Sequence, residues 1–294
     1  MGLSAFALVL VGALLHAGWN IVAKQAGGDA RFTFFSSTLL ALVWAPLALW
    51  LGMDVVGRWG WPEWGLMALS GVLHWFYFVC LLTGYRRSDL TVVYPMARGS
   101  GPLLSSSAAV VVFGEPISAL GVAGIAGVVG GVFLIAGGPA LLRRAHDPAA
   151  RARVLAGVYW GLLTGALIAS YTVVDAYAIK ALAMSPILFD YGCNLLRLPL
   201  AALPVLRDPP EAWRLWRLQW RHALVVAVAS PAAYVCVLYA VQQAPVSHVA
   251  PAREVSMLFA ALIGGHLLGE GDRMARLLGA ACIAFGVMAL AWGG

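Results

Sequence analysis

The amino-acid sequence predicts an all-α integral membrane protein with ten transmembrane helices, arranged as two inverted repeats of five helices. Its composition is the first reason. Of its 294 residues, 62% are hydrophobic and 11% are charged, whereas a soluble domain carries roughly 25% charged residues. Two soluble domains, which this length would otherwise suggest, could not cover their surfaces with so few charges. The composition therefore argues against a soluble enzyme, a disordered chain and a nucleic-acid-binding protein.

Apolar stretches along the chain are the second reason, and they define the individual helices. A bilayer core about 30 Å thick requires about 20 residues of helix, and ten such stretches follow one another. They cover residues 3–24, 32–52, 64–84, 91–113, 118–138, 155–177, 184–206, 222–242, 246–268 and 275–293. The first stretch lacks the preceding basic residues of a cleaved signal peptide, so we expect it to remain as a spanning helix.

Two of the predicted helices contain a proline close to their beginning. Pro95 in the fourth and Pro251 in the ninth each remove one backbone hydrogen bond. Within a membrane such a gap is tolerated where the freed carbonyl faces a cavity. We therefore expect a break early in both helices, with Arg98 and Arg253 directly after it.

The basic residues are distributed unevenly between the two sides that ten helices would define. Fourteen of the 19 Lys and Arg residues fall in the connections after the first, third, fifth, seventh and ninth helices, whereas only Arg58 and Lys180 fall in the other connections. Basic residues accumulate in cytoplasmic loops. The pattern therefore predicts a multi-pass protein of the inner (cytoplasmic) membrane with both termini on the non-cytoplasmic side.

An internal repeat is the third reason for the predicted fold. Met96-Ala97-Arg98 corresponds to Pro251-Ala252-Arg253, and Phe113-Gly114-Glu115 corresponds to Leu268-Gly269-Glu270, both at a spacing of 155 residues. We expect the glutamates of these two turns, Glu115 and Glu270, to cap the fifth and tenth helices. Because each repeat holds an odd number of helices, the second repeat would cross the membrane in the opposite orientation.

The repeat also defines the predicted domain organisation. The first repeat covers residues 1–141 and the second covers 154–294, with a basic cytoplasmic linker at 142–153. The fifth predicted helix is rich in glycine, and a face of small residues permits close helix packing. That packing could join the two halves of one chain or two protomers, so we expect a monomer or a homodimer.

This arrangement resembles the EamA-type members of the drug/metabolite transporter superfamily. The resemblance rests on the two five-helix halves, on Pro95 and Pro251, and on the turns Gly114-Glu115-Pro116 and Gly269-Glu270. It implies a ten-helix carrier of small metabolites, such as amino acids or sugars. The segment from His16 to Lys24 is similar to a branch of this family in which some members are presumed permeases linked with phosphonate use.

Polar and ionisable side chains within the apolar stretches are the candidate functional residues. Burying an ionisable group in a bilayer costs about 2.5–3.5 kcal/mol on insertion scales, so such groups face internal cavities. An arginine presents a forked donor to a carboxylate or phosphonate, and aromatic rings can cradle an apolar or cationic group. The predicted substrate-binding residues are His16, Trp19, Asn20, His74, Tyr77, Tyr94, Arg98 and Arg253.

Three acidic residues are candidates for proton coupling: Asp175, Glu254 and Asp190. A carboxylate in a low-dielectric cavity can alternate between a protonated state and a state that engages a substrate. The alternative is structural. The arginines would then form permanent ion pairs with these acids and hold the halves together, while the other polar and aromatic residues would only support helix packing.

Inverted repeats around a central site are typical of secondary transporters. The sequence has no phosphate-binding loop, no zinc-binding His-Glu-x-x-His pair and no nucleophile elbow, so we expect no metal and no cofactor. We predict transport of a small polar or zwitterionic metabolite, amino-acid-like or a phosphonate, by alternating access with a coupling proton. Its partners would be the substrate and the lipid bilayer, with no nucleic acid. The alternative is an integral-membrane enzyme that acts on a lipid or amphipathic substrate.

Overall fold

The computed structural model describes residues 1–27, 30–88, 90–135, 148–264 and 273–292, and the regular structure within these ranges is helical throughout. Among these described residues, five helices are long and apolar enough to cross a membrane: Leu3–Gln25, Ala30–Gly52, Trp61–Arg87, Ala152–Lys180 and Pro209–Gln243. Ala119–Leu134 and Leu278–Trp292 are shorter apolar helices. The all-helical membrane fold is thus confirmed, while the full number of ten crossings stays a prediction.

The helices follow the predicted stretches closely. In chain order they are α1 (Leu3–Gln25), α2 (Ala30–Gly52), α3 (Trp61–Arg87), α4 (Leu90–Phe113), α5 (Ala119–Ile135), α6 (Pro148–Lys180), α7 (Pro186–Ala201), α8 (Leu203–Arg207), α9 (Pro209–Gln243), α10 (Val246–Ala252), α11 (Val255–Gly264) and α12 (Arg273–Trp292). A short 3₁₀ turn, Val56–Arg58, precedes α3. Glu270 and the first half of the predicted linker, residues 142–147, lie outside the described residues, and the second half, 148–153, forms the beginning of α6.

Helix α9 begins well before the predicted start at residue 222. Asp208 caps it by accepting a hydrogen bond from the backbone N–H of Glu211 (3.3 Å), and two prolines occupy its first turn. This combination of an Asp cap and early prolines is a recognised helix start signal. The expectation of a loop there was wrong, because the basic residues in this segment conceal a helix that continues into the apolar stretch.

The predicted proline breaks occur in only one of the two helices. The ninth predicted helix divides into α10 and α11, with Arg253 and Glu254 in the turn between them. Helix α4, in contrast, runs without interruption from Leu90 to Phe113. The expected break in α4 was wrong. Pro95, the sixth residue of α4, removes one backbone hydrogen bond near the beginning of the helix, and the helix continues through this gap.

Contacts between the two halves come in pairs that are exchanged by the repeat. Helix α1 packs against α9, and their counterparts α6 and α3 also pack together. Likewise, α4 contacts α6 while α11 contacts α1, and α2 contacts α9 while α7 contacts α3. The two halves therefore interlock, and side chains of both reach the middle of the bundle.

Glycines form the closest junction between the halves, where α5 and α12 cross. A Cβ atom at Gly131 would lie 2.5 Å from the carbonyl oxygen of Gly279, and a Cβ atom at Gly286 would lie 2.6 Å from that of Gly124. The repeat relates Gly124 to Gly279 and Gly131 to Gly286, so the two contacts are equivalent. Within this chain, the glycine-rich face joins the two halves.

Candidate functional site

The break between α10 and α11 brings two arginines to one carboxylate. The side chain of Glu254 is only 1% exposed, and its Oε1 atom lies 3.3 Å from Arg98 Nη1 and 3.6 Å from Arg253 Nε. The other carboxylate oxygen, Oε2, is buried without a hydrogen-bond partner among the described residues. Glu254 therefore lies between one arginine of each repeat.

Arg98 also contacts α1 and its own helix. Its Nη2 atom lies 3.1 Å from His16 Nε2. Because a guanidinium only donates hydrogen bonds, Nε2 is the acceptor, and the imidazole of His16 is neutral with its proton on Nδ1. The guanidinium also lies 5.7 Å from the centre of the Tyr94 ring, within the range of a cation–π contact. Three predicted residues thus meet at one point.

Aromatic rings connect this charged contact to α3, α6 and α9. The ring of His74 stacks on Tyr171 at 3.9 Å between centroids, and Tyr77 meets Tyr171 edge to face at 5.8 Å. Tyr234 of α9 meets His74 edge to face at 5.9 Å. These four rings form the aromatic patch of the site. Its polar edge is suited to a ligand with both apolar and polar parts.

Asp175 lies at the far side of the aromatic patch. Its Oδ2 atom accepts a short hydrogen bond from the Tyr234 hydroxyl. Its other oxygen, Oδ1, is buried and has no hydrogen bond of standard geometry among the described residues, although the Ser70 hydroxyl interacts with the Asp175 carboxyl group. A proton or a ligand donor would satisfy this oxygen.

A small cavity of about 10 Å³, roughly the space that one water molecule needs, lies beside Asp175. Its lining comprises Ser70, His74, Asp175, Phe189, Asp190, Cys193, Asn194, Arg197 and Tyr234. This volume is far below the range of about 300–1,000 Å³ that is typical of pockets for small-molecule ligands. The cavity is therefore suited to water or a proton pathway rather than to a whole metabolite.

The polar residues of α7 form a chain along one wall of this cavity. Arg197 donates to the side-chain oxygen of Asn194 at 3.3 Å, and Asn194 donates to the backbone carbonyl of Ser37 at 3.1 Å. Asp190 also lines the cavity. As the spacing on the helix predicts, Asn194 rather than Asp190 is the direct partner of Arg197.

Arg253 links the charged contact to the acidic cavity. It interacts electrostatically with the carboxylates of both Glu254 and Asp175. The two groups of residues therefore form one continuous polar site, to which α1, α3, α4, α6, α7, α9 and the α10–α11 break contribute.

Two predicted residues of α1 lie at the edge of the site. Asn20 is exposed, and its amide donates to the backbone carbonyl of His16 in the same helix (2.6 Å). The Trp19 ring contacts His16 edge to face at 4.9 Å, and its Nε1–H is buried without a partner among the described residues. Trp19 therefore stays next to the site, whereas Asn20 does not point into it.

Sequence reasoning missed Ser70 and Tyr234. The hydroxyl of Ser70 lies 3.2 Å from His74 Nδ1, and Tyr234 holds Asp175. A hydroxyl in an apolar helix carries little signal, because it can satisfy itself on its own backbone. Only the packing of α9 against α6 makes Tyr234 a partner of Asp175.

Comparison with known proteins identifies the family. The sequence model of the EamA-like transporter family matches residues 3–137 and 155–292, which make up most of the chain. The chain belongs to the EamA-like transporter family. This confirms the resemblance and the two-repeat architecture, and it makes the protein a multi-pass membrane protein of a transporter family.

A solved crystal structure supports the EamA fold. One of its chains aligns with a TM-score of 0.78, at 16% sequence identity, over 98% of this chain and 96% of its own length. At that identity the similarity shows the fold alone. A search of curated protein sequences finds no match.

Proposed function

We propose that this EamA protein is a secondary transporter of the cytoplasmic membrane that moves a small metabolite with an anionic group by alternating access. The observation that carries the proposal is the contact of Arg98 and Arg253, one from each repeat, with the single buried carboxylate of Glu254. Charged groups buried in membrane proteins are rare and mark substrate or ion pathways. The cytoplasmic side would be the side with most of the basic connections, and both termini would face away from it.

The charges at this contact favour an anionic ligand group. Two guanidinium groups lie against this one carboxylate, and when Asp175, the other carboxylate near Arg253, is protonated, an excess of positive charge remains that is costly to bury. A substrate carboxylate or phosphonate would compensate it and could use the forked guanidinium geometry. The aromatic patch would accept the remainder of the substrate, whether apolar or a cationic amine. An amino-acid-like zwitterion or a phosphonate meets both requirements.

Asp175 is the candidate for the coupling proton. Protonation would remove a negative charge near Arg253, and this would strengthen the attraction of Arg253 for an anion. Binding of the proton and of the substrate anion would then reinforce each other, and such a coupling is reciprocal. Glu254 and Asp190 are the further candidates, because one lies between the two arginines and the other lines the acidic cavity.

The paired contacts between the halves support alternating access. Inverted repeats can exchange their conformations around a central site, so that one arrangement opens inward and the other outward. Because the contact of α1 with α9 has its counterpart in α6 with α3, and that of α4 with α6 in α11 with α1, the two arrangements can use equivalent packing.

Thermal stabilisation by candidate ligands tests the substrate class. Amino acids, phosphonates, sugars and lipophilic cations are added to the purified parent and to the Arg98→Lys and Arg98→Ala variants. We expect one anionic or zwitterionic class to raise Tm. Its affinity should fall about 10- to 100-fold in both variants, because a hydrogen bond to a charged group contributes about 1.5–3 kcal/mol.

The matched control is Arg214→Ala, which removes a guanidinium that pairs with Glu211 on the helix surface (2.6 Å). Its affinity for the ligand should equal that of the parent. Arg98→Lys retains the positive charge next to Glu254, so it keeps the test valid if Arg98→Ala does not fold. Stabilisation by cations alone, or equal affinity in the parent and both Arg98 variants, would contradict the proposal.

A further inference from the structure

Glu115 connects the two repeats at one end of the bundle. It follows Gly114, whose φ of +62° lies in the left-handed region that glycine adopts readily. Its carboxylate accepts hydrogen bonds from the backbone N–H groups of Val246 (2.8 Å) and Ser247 (2.9 Å) at the beginning of α10. Glu115 therefore caps a helix of the other repeat, and the expectation that it caps α5 was wrong.

Lys180 completes this contact from a third segment. Its ammonium group, at the end of α6, lies 3.0 Å from Glu115 Oε1 and 5.9 Å from the centre of the Phe113 ring. We call Glu115, Lys180 and the two N–H groups the Glu115 latch. It holds together the turn after α4, the end of α6 and the beginning of α10, three connections that the predicted topology assigns to the non-cytoplasmic face.

The latch is linked directly to the polar site. Helix α10 is short, so its capped beginning at Val246 is followed within seven residues by the break with Arg253 and Glu254. Movement of α10 away from the turn after α4 would therefore displace the arginine and the carboxylate at the centre of the site. The latch also covers the end of the bundle towards which α4, α6 and α10 converge.

The position of the Glu115 latch allows its contacts to be released. The Lys180 side chain is 26% exposed, so water can reach this member of the ion pair, and such partly exposed pairs contribute little net stability. Glu115 is 8% exposed, and its hydrogen bonds to the α10 backbone are buried. Water that enters when the latch opens can replace these hydrogen bonds at a modest net cost. The latch therefore lies nearer to water than Glu254, whose side chain is 1% exposed.

We propose that the Glu115 latch is the gate that closes the polar site towards the face of the membrane on which Glu115 lies. This inference rests on the proposed transport function, since a gate has meaning only for a site that opens to both sides. In the latched state the site is closed on this side. Release of Glu115 from α10 and Lys180 opens it.

The labelling rate of a native cysteine measures opening of the gate, and this measurement does not require the substrate to be known. Cys193 is 6% exposed and lines the small cavity next to Asp175. A background with Cys80, Cys236 and Cys282 replaced by serine leaves Cys193 as the sole thiol of the chain. A membrane-impermeant methanethiosulfonate reagent then labels Cys193 at a rate set by opening of the site. Right-side-out and inside-out vesicles distinguish the two faces.

The test compares Glu115→Ala, Lys180→Met and the control Glu211→Ala in this background. We expect Glu115→Ala to raise the labelling rate about tenfold, in one vesicle orientation only, because it removes all three hydrogen bonds. Lys180→Met should raise the rate less, since it keeps the two bonds to the α10 backbone. Glu211→Ala breaks an ion pair within one exposed helix turn, so it should label at the parental rate.

Parental labelling rates in both latch variants would overturn the gate, as would an equal rise in Glu211→Ala or in both vesicle orientations. Lys180→Met changes a partly exposed side chain, so it keeps the test valid if Glu115→Ala does not fold. Failure of the proposed transport function would give a different result from failure of the gate. In that case the latch variants still open the cavity to the reagent, while no ligand class depends on Arg98.

Discussion

The most consequential single residue is Glu254, because it has more basic neighbours than one carboxylate can neutralise. Arg98 and Arg253 both approach the same oxygen atom, and the second oxygen has no partner among the described residues. A fully paired structural salt bridge would satisfy both oxygens. Here the second oxygen can still accept a hydrogen bond from water or from a ligand donor such as an amine, and this is consistent with the binding role proposed for the two arginines.

Glu115 has a different environment, and its titration can be tested. Burial would raise the pKa of Glu115, but the N–H groups of Ser247 and Val246 and the ammonium group of Lys180 outweigh that effect and hold the pKa below its ordinary value of 4.5. The ionised carboxylate therefore stabilises the folded protein at pH values above 4.5. This contribution is lost as the pH falls through the lowered folded-state pKa.

We expect the difference in Tm between the parent and Glu115→Gln to be constant at neutral and mildly acidic pH and to shrink below about pH 4.5. His248, a further titratable group near this carboxylate, is present in both proteins. Differential scanning fluorimetry across pH measures the difference. A gap that widens on acidification would contradict the assigned role of the carboxylate.

Among the helices, α5 and α12 show how a residue pattern becomes a packing interface. Their glycines allow the two backbones to touch, and the repeat makes the contact symmetric about the crossing point. In a membrane such contacts stabilise through close packing rather than through the hydrophobic effect. The crossing of α5 and α12 joins the last described helix of the first repeat to the last described helix of the second.

Gly286→Ala tests that interface. The added Cβ would lie 2.6 Å from the Gly124 carbonyl oxygen and 2.7 Å from the Val128 nitrogen, so backbone must shift. Overpacking of this kind costs about 1–3 kcal/mol, which should lower Tm by about 5 °C. The matched control is Gly130→Ala, where a Cβ meets nothing within 4 Å and Tm should not fall. Equal Tm values for both variants would show that the crossing is not close.

For the molecule as a whole, the central question is how the charges of the two repeats act together. Arg253 interacts with Glu254 on one side and with Asp175 on the other, so a change at either carboxylate alters the field at the arginine. The interlocked helices bring these groups from distant parts of the chain into one site. Coupling between proton and substrate would therefore arise from the assembly and not from any one helix.

Asp175→Asn tests this coupling. Calorimetry in buffers of different ionisation enthalpy measures the protons taken up when the ligand from the stabilisation screen binds. We expect uptake of up to one proton by the parent and almost none by Asp175→Asn, which mimics the protonated acid. Asp208→Asn is the control, since this acid pairs with Arg31 at 3.2 Å and is 47% exposed. Equal uptake by the parent and Asp175→Asn would assign the coupling to another group.

The sequence by itself determined the membrane fold class, the two repeats and most helix positions, because hydropathy and the 155-residue repeat are properties of the chain that do not depend on its neighbours. It also selected Arg98 and Arg253, since a repeated arginine in an apolar stretch is conspicuous. It could not reveal the true extent of α9, whose basic first half resembles a loop, or the absence of a break in α4.

Tertiary structure alone decided which groups meet. The sequence left open whether Glu254, Asp175 or Asp190 is the partner of the arginines, and it assigned Glu115 to the wrong helix. The Glu115 carboxylate instead reaches N–H groups 131 and 132 residues further along the chain, and Tyr234 reaches Asp175 from a separate helix. Such pairings depend on how the helices pack and on which of their faces meet. The periodicity of the sequence within one helix contains no information about the register of another helix.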